Sequence, residues 1–142
     1  MTNTVIMMGN TQDHANLTGD ACRADGWYGH TDGLHTVVIQ VVNFTGRIYI
    51  EASLEMEPTE ADWFPIQLTS TTSYYQFPID PNEPTGVYES GGDTRTVGAT
   101  FKINALWIRA RLDRSYLSEI LYDNDPEALA ALGNVKKITL AR

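Results

Sequence analysis

Apolar and polar residues alternate with a period of two along much of this chain, which is the pattern of a sheet with one buried face and one wet face. The alternation is clearest at residues 47–54. One face there carries Ile48, Ile50, Ala52 and Leu54, and the other carries Arg47, Tyr49, Glu51 and Ser53. Residues 106–114 repeat the pattern, with Ile108, Ala110 and Leu112 toward the core. Both segments are therefore predicted to be strands of one shared core.

Residues 34–44 are rich in β-branched side chains, which suits a buried strand. Thr45-Gly46 connects this run to the alternating segment, so residues 34–54 are predicted to form a β-hairpin. Further strands are predicted at 4–8, 63–68, 74–78, 94–103 and 136–141, and another is predicted to start at Val87-Tyr88. Pro65 lacks an N–H and places its strand at a sheet edge, whereas Gly98 is expected to interrupt the strand that contains it.

The spacing of turn residues favours an all-β protein over any α/β arrangement, because turn signals recur about every ten residues along the chain. We predict a single domain over residues 1–142, a β-sandwich or jelly roll of about 8–9 antiparallel strands. It has a loop-rich lead-in at 10–33, anchored by Trp27-Tyr28, and an inserted loop at 115–134. One short helix is expected near 126–132, with Asp125 as its N-cap, Pro126 at its first position and Gly133 after its end.

The chain is acidic, with a formal net charge of −8, and nucleic-acid backbones would repel it. Residues 1–94 hold 13 acids and two bases, whereas residues 95–142 hold five acids and eight bases. Such asymmetry either guides self-association between unlike surfaces or is cancelled by ion pairs between strands of one monomer. A lone cysteine, Cys22, fits a reducing cytosol. The apolar run at 5–8 is too short for a signal sequence or a membrane span, so neither secretion nor membrane insertion is expected.

No catalytic, cofactor-binding or metal-binding residue is predicted, and the protein is expected not to be an enzyme. His14, His30 and His35 lack the spacing of metal ligands, and Cys22 has no base in a nearby motif. The run Asp123-Asn124-Asp125 hints at calcium, but Asp125 is better explained as a helix cap. His35 begins a strand, where it is either exposed to solvent or satisfied by hydrogen bonds.

One group of polar and aromatic residues is expected to lie on the outer face of the sheet. These are Tyr49 and Glu51 on one strand and Trp107, Arg109 and Arg111 on another. Because Trp, Tyr and Arg are enriched at the centres of interfaces, they form the candidate assembly interface. The alternative is an exposed face that only holds cross-strand Glu–Arg pairs.

Four segments resemble those of virion β-sandwich proteins of tailed bacteriophages. They are GRIYIEASL at 46–54, DWFPI at 62–66, LWIRA at 106–110 and the closing ITL at 138–140. The resemblance covers roughly residues 36–112 and 135–141, and Trp63 and Trp107 are expected to seal the sandwich edges. The longer segments 10–33 and 115–134 depart from the shorter members of the family and are expected to act as arms that reach neighbouring subunits.

The resemblance implies a non-enzymatic virion structural protein, assembled in the bacterial cytoplasm, that decorates or connects parts of the particle. Its partners would be other virion proteins and further copies of itself, without nucleic acid, membrane or cofactor. The alternative is a glycan-binding module of a tail fibre, with Trp27, Tyr28, Tyr74 and Tyr75 stacking on sugars. A third hypothesis is a hydrolase that uses Glu51 or another acid.

Overall fold

The computed structural model describes residues 4–9, 16–29, 33–69, 72–77, 92–115 and 133–142. Within these residues the chain forms ten strands and two short 3₁₀ helices, Asp25–Tyr28 and Glu60–Asp62. The strands are β1 (Thr4–Met8), β2 (Leu17–Thr18), β3 (Cys22–Arg23), β4 (Leu34–Phe44), β5 (Gly46–Ser53), β6 (Phe64–Pro65), β7 (Tyr74–Phe77), β8 (Asp93–Lys102), β9 (Trp107–Asp113) and β10 (Asn134–Ala141).

The strands form two antiparallel sheets. Sheet A has the order β1-β10-β4-β8. Sheet B is centred on β9 and β5: β2 and β3 pair with the free edge of β9, while β6 and β7 pair with the free edge of β5. The predicted all-β sandwich is therefore confirmed, with ten strands in the described residues rather than eight or nine.

The core lies between the two sheets and follows the alternation seen in the sequence. Its central side chains are almost fully buried; they are Val37, Ile39 and Val41 on β4, Ile48, Ile50 and Ala52 on β5, Ile108, Ala110 and Leu112 on β9, and Ile138 and Leu140 on β10. Each large aliphatic side chain withdrawn from water in this way stabilises the fold by about 1.5–3 kcal/mol. Leu54 is an exception to the prediction, because it follows the end of β5 and is 61% exposed.

The predicted hairpin at 34–54 is wrong, because β4 belongs to sheet A and β5 to sheet B. The chain leaves sheet A at a bulge between Val41 and Phe44, where Asn43 adopts a left-handed φ of 49°. The Asn43 N–H donates to Thr94 Oγ1 (2.9 Å), and Asn43 Oδ1 accepts from the Gly92 N–H (3.2 Å). Bulges of this kind let a strand bend out of one sheet and enter another.

The strand predictions differ from the structure in smaller ways. The run 34–44 alternates between buried and partly exposed residues rather than being buried throughout. Gly98 does not interrupt β8, which pairs with β4 on both sides of it. The strand predicted at 63–68 shrinks to β6, which lies at the edge of sheet B as Pro65 requires. The predicted strand at Val87-Tyr88 and the helix near 126–132 lie outside the described residues.

The described part of the lead-in, residues 16–29, pairs within its own chain along β9. Leu17 is opposite Leu112, and Cys22 is opposite Ile108. Between these pairs the Gly19 N–H donates to the Ala110 carbonyl (2.8 Å). This part of the lead-in is an edge of sheet B rather than a free arm. Each pairing is only two residues long, too short for a sequence pattern to reveal.

Candidate functional site

The five residues of the candidate interface converge on the outer face of sheet B. Because β5 and β9 are antiparallel neighbours, their outward residues form a grid. Its rows pair Ser53 with Trp107, Glu51 with Arg109, Tyr49 with Arg111 and Arg47 with Asp113. Directly opposed side chains in such a grid lie about 4.5–5.5 Å apart at their Cβ atoms, close enough to interact.

Glu51 is held between two arginines. Arg109 Nε donates to Glu51 Oε1 at 2.9 Å, and Arg111 Nε donates to Glu51 Oε2 at 3.1 Å. The Glu51 and Arg109 side chains are only 9% and 8% exposed, so the cross-strand pairs expected from the sequence exist but lie under cover. A carboxylate and a guanidinium lose their stabilising hydration when they are buried. Here the attraction between the two opposite charges offsets that loss.

Residues 54–64, which we call the acidic loop, lie over this ion pair. Both carboxylate oxygens of Glu60 accept hydrogen bonds from the Arg109 guanidinium, at 3.2 Å from Nη1 and 3.0 Å from Nη2. The Trp63 ring lies over the same guanidinium, 4.2 Å from its carbon. Within the loop, the Thr59 N–H donates to Asp62 Oδ2 (2.7 Å), and this capping contact holds the 3₁₀ turn that presents Glu60.

The charges in this cluster reinforce one another. Burial of the Arg109 guanidinium works against its charged form, but hydrogen bonds to Glu60 and Glu51 outweigh burial and raise the pKa of Arg109. The hydrogen bond from Arg109 lowers the pKa of the Glu60 carboxyl below its usual value. Glu60 itself is 85% exposed, so solvent screens its part of the pair.

Stacked arginine and aromatic side chains extend the cluster toward one end of the face. The Arg111 guanidinium lies over the Tyr49 ring at 4.2 Å, and the Tyr49 and Tyr74 rings are 5.3 Å apart. Arg47 lies over Tyr74 at 4.5 Å. These contacts fix the side chains in one arrangement and leave polar edges toward solvent.

The other end of the face is formed by two tryptophans. The Trp27 and Trp107 rings are 4.9 Å apart and tilted by 49°, and Arg23 lies over Trp27. Trp107 Nε1 donates to the Met56 carbonyl (3.3 Å), which ties the acidic loop to this end. Both Trp63 and Trp107 therefore lie on the outer face of sheet B, and the expectation that they seal the sandwich edges is wrong.

Chemically, this face is a self-neutralising network rather than a set of available acids and bases. Both oxygens of Glu51 accept hydrogen bonds from guanidinium groups. The acid role considered for Glu51 thus gains no support from its geometry. Sequence reasoning missed Glu60 and Trp63 as members of the site, and only the Glu-Pro-Thr-Glu composition next to a tryptophan hinted at a charged, aromatic loop.

The four candidate sugar-stacking residues do not share one surface. Trp27 contacts Trp107. Tyr74 instead contacts Tyr49, which is opposite Arg111, four residues along β9 from Trp107. The Tyr28 hydroxyl accepts from Arg142 Nη2 (3.3 Å), and Tyr75 packs against the core. The aromatic platform that a sugar ring requires is not assembled from these four side chains.

His35 is a buried structural residue. Of its two predicted alternatives, the one in which hydrogen bonds satisfy the ring is confirmed. Its Nδ1 donates to the Gly33 carbonyl (2.7 Å), and its Nε2 accepts from the Asp25 N–H (3.2 Å). Cys22 is buried as well, and burial raises the pKa of its thiol. Among the residues with described coordinates no three His, Cys, Asp or Glu side chains form a group that could hold a metal ion. His14, His30 and residues 123–125 lie outside them.

The fold and the face together define an all-β sandwich whose outer sheet B surface carries a covered arginine, glutamate and aromatic cluster. No helix in the described parts of the chain is long and apolar enough to span a membrane. No protein-family model matches the sequence, no curated protein matches it, and no solved structure matches its fold.

Proposed function

We propose that this chain is a non-enzymatic structural protein of a tailed-bacteriophage virion, which decorates or connects parts of the particle through protein–protein contacts. The observation that carries the proposal is the stacked arginine and aromatic face of sheet B. The resemblance of residues 46–54, 62–66 and 106–110 to virion sandwich proteins supplies the biological setting.

The chemistry of this face suits protein recognition. Trp, Tyr and Arg dominate the binding energy of many interfaces, because they bury large areas and still make directional polar contacts. Arg111 and Tyr49 remain partly accessible, with 32% of the Arg111 side chain exposed. They are held in place by Glu51 and Tyr74, so little conformational freedom is lost when a partner binds.

The five candidate interface residues divide into two roles under this proposal. Trp107, Arg111 and Tyr49 are partly exposed and make the contact. Arg109 and Glu51 are buried beneath the acidic loop, so they support the contact residues rather than touch the partner. This division predicts that Arg111 variants lose binding and remain folded, with a partial loss of stability, because Arg109 still pairs with Glu51.

The test uses particles from the host strain that carries the gene. Mass spectrometry of purified virions is expected to detect the chain at a fixed ratio to the capsid or tail proteins. An Arg111→Ala/Tyr49→Ala variant is expected to fold yet to be depleted from particles at least tenfold, whereas Ala21→Glu, at an exposed position outside the five candidate residues, is incorporated normally. Absence of the wild-type chain from purified particles rejects the proposal.

The two alternatives from the sequence are tested separately. A glycan array probed with the tail fraction addresses sugar binding, and a substrate panel compared between wild type and Glu51→Gln addresses hydrolysis. A sugar hit that is lost in Trp27→Ala, or a turnover that is lost in Glu51→Gln, would replace the structural proposal.

A further inference from the structure

Seven large apolar side chains of the described residues are exposed, and all except Tyr28 lie in two places. Leu54, Met56 and Phe64 belong to the acidic loop, with exposed fractions of 61%, 62% and 38%. Ile6, Leu34 and Val42 belong to the strands of sheet A, with exposed fractions of 61%, 55% and 42%. Ile6 shares a row with Val38, which is four residues along β4 from Leu34 and four from Val42, so these apolar positions are spread along the face. Exposed apolar side chains that share one loop or one sheet face commonly mark a surface that another molecule covers.

The first patch is acidic. The loop from residue 54 to 64 contains Glu55, Glu57, Glu60 and Asp62 and no basic residue. Glu60 and Asp62 are engaged inside the molecule by Arg109 and Thr59. Glu55 and Glu57 stand in exposed positions beside Met56, so this patch presents apolar side chains with a negative rim.

The second patch is the outer face of sheet A, and its charge has the opposite sign. One row across the four strands is Ile6, Thr139, Val38 and Gly98, and the next is Thr4, Ala141, Thr36 and Thr100. The lysines of this face are Lys102 and Lys137, with Lys136 exposed at the adjacent bulge of β10. Asp93 of β8 points to the opposite side with Arg95 and Val97. In a chain of net charge −8, a described sheet face with lysines and no acid is distinctive.

The two patches cannot meet within one molecule. The acidic loop packs on the outer face of sheet B through Trp63 and the Met56 carbonyl, whereas the second patch faces outward from sheet A on the other side of the core. Two complementary patches on opposite faces of a sandwich are, however, well placed to join separate copies.

We infer that the acidic loop of one copy docks on the outer face of sheet A of a second copy, so that the chain associates head to tail. The apolar side chains of Leu54 and Met56 pack against Val38 and its neighbours, and Glu55 and Glu57 face Lys102 and Lys137. This inference rests on the proposed function, which it deepens by naming a second copy of the chain as one partner.

Head-to-tail contact has a structural consequence. The acidic loop of one end copy and the sheet A face of the other end copy stay free in any open assembly, so further copies can add. The assembly becomes a ring if the rotation between copies closes, and a filament if it does not. A specific contact of this kind buries about 1,000 Å² or more in total, so more of each surface than the six apolar side chains must take part.

The test separates the two surfaces by mutation and then recombines them. A loop variant, Leu54→Lys/Met56→Lys, and a face variant, Ile6→Glu/Val42→Glu, change only exposed positions. Wild type is expected to show a mass that rises with concentration in light scattering, whereas each variant alone stays at the 15.8 kDa of one chain. Ala21→Lys and Ala21→Glu are the matched charge controls and are expected to associate like wild type.

Mixing the two variants is the decisive step. The face variant keeps an intact loop and the loop variant keeps an intact face, so the mixture is expected to form a heterodimer that cannot grow further. Formation of the heterodimer also shows that both variants are folded. The inference is overturned by a monomeric wild type, by variants that still associate alone, or by a mixture that stays monomeric. Detection of the chain in virions does not depend on any of these outcomes, so the two proposals fail separately.

Discussion

The outer faces of the two sheets solve the same physical problem in different ways. Within one copy, sheet A carries uncharged hydroxyl side chains in the middle of its outer face, as in the Thr36–Thr100 contact of 3.0 Å. Sheet B carries Glu51, Arg109 and Arg111, and the acidic loop covers Arg109 and Glu51 while 32% of the Arg111 side chain stays exposed. Uncharged hydroxyl groups stay near water and cost little. Charges under a loop must be paired completely, so sheet B is the face where one altered side chain matters most.

The largest effect is expected from Glu51→Gln. The substitution removes the charge that compensates two guanidinium groups, one of them buried. We expect the free energy of unfolding to fall by about 3 kcal/mol, the lower end of what breaking a buried pair costs, because Arg111 is partly exposed. Urea unfolding measures the change, and a loss below about 1 kcal/mol would show that the cluster is a surface network after all.

Trp63→Ala is expected to have the next largest effect. It removes the ring above the Arg109 guanidinium, and a contact of this kind contributes about 1–2 kcal/mol when it excludes water. Leu54→Ala in the same loop is the control, since that side chain is mostly exposed and its loss should stay within about 0.5 kcal/mol. Equal losses in the two variants, measured by thermal unfolding, would contradict a covering role for Trp63.

Acid is expected to detach the loop from Arg109 before the sandwich unfolds. The pKa of Glu60 is lowered in the folded state, so the contact stabilises the fold fully above the usual pKa of a glutamate. That contribution is lost as the pH falls through the lowered pKa. The fluorescence of Trp63 should report a transition there, and Glu60→Gln should abolish the transition while leaving unfolding by urea at neutral pH little changed.

The smallest effect is expected on sheet A. Thr36→Val removes an exposed hydroxyl that bonds another exposed hydroxyl, and water replaces it for Thr100. The free energy of unfolding should change by no more than about 0.5 kcal/mol. A larger loss would mean that this hydroxyl pair is not open to water within one copy, and the contrast between the two faces would disappear.

Much of the fold could be predicted because the alternation within each strand shows which of its side chains are buried. The alternation at 47–54 and 106–114 indicated which side chains of β5 and β9 are buried, and the structure confirms them apart from Leu54. The pairing of β4 could not be predicted in the same way. A run of β-branched residues suits either sheet, and the turn that separates β4 from β5 depends on the hydrogen bonds that Asn43 makes with Thr94 and Gly92.

The candidate site was predicted in part for the same reason. Period-two alternation placed Tyr49 and Glu51 on one side of their strand and Trp107, Arg109 and Arg111 on one side of another. It did not show that these two strands are neighbours in register, nor that the 54–64 loop returns over Arg109. Contacts between segments about 50 residues apart in the chain leave no periodic trace in either one.

By itself, the sequence determined which residues are strand residues and which of their side chains avoid water, because a pleated strand sends successive side chains to opposite sides. Only the tertiary structure decided which strands are partners, which sheet each joins, and that Glu51 and Arg109 are covered. Those outcomes depend on how bulges and loops direct the chain and on whether two distant charges reach one another. That depends on the packing of the whole sandwich rather than on any single segment.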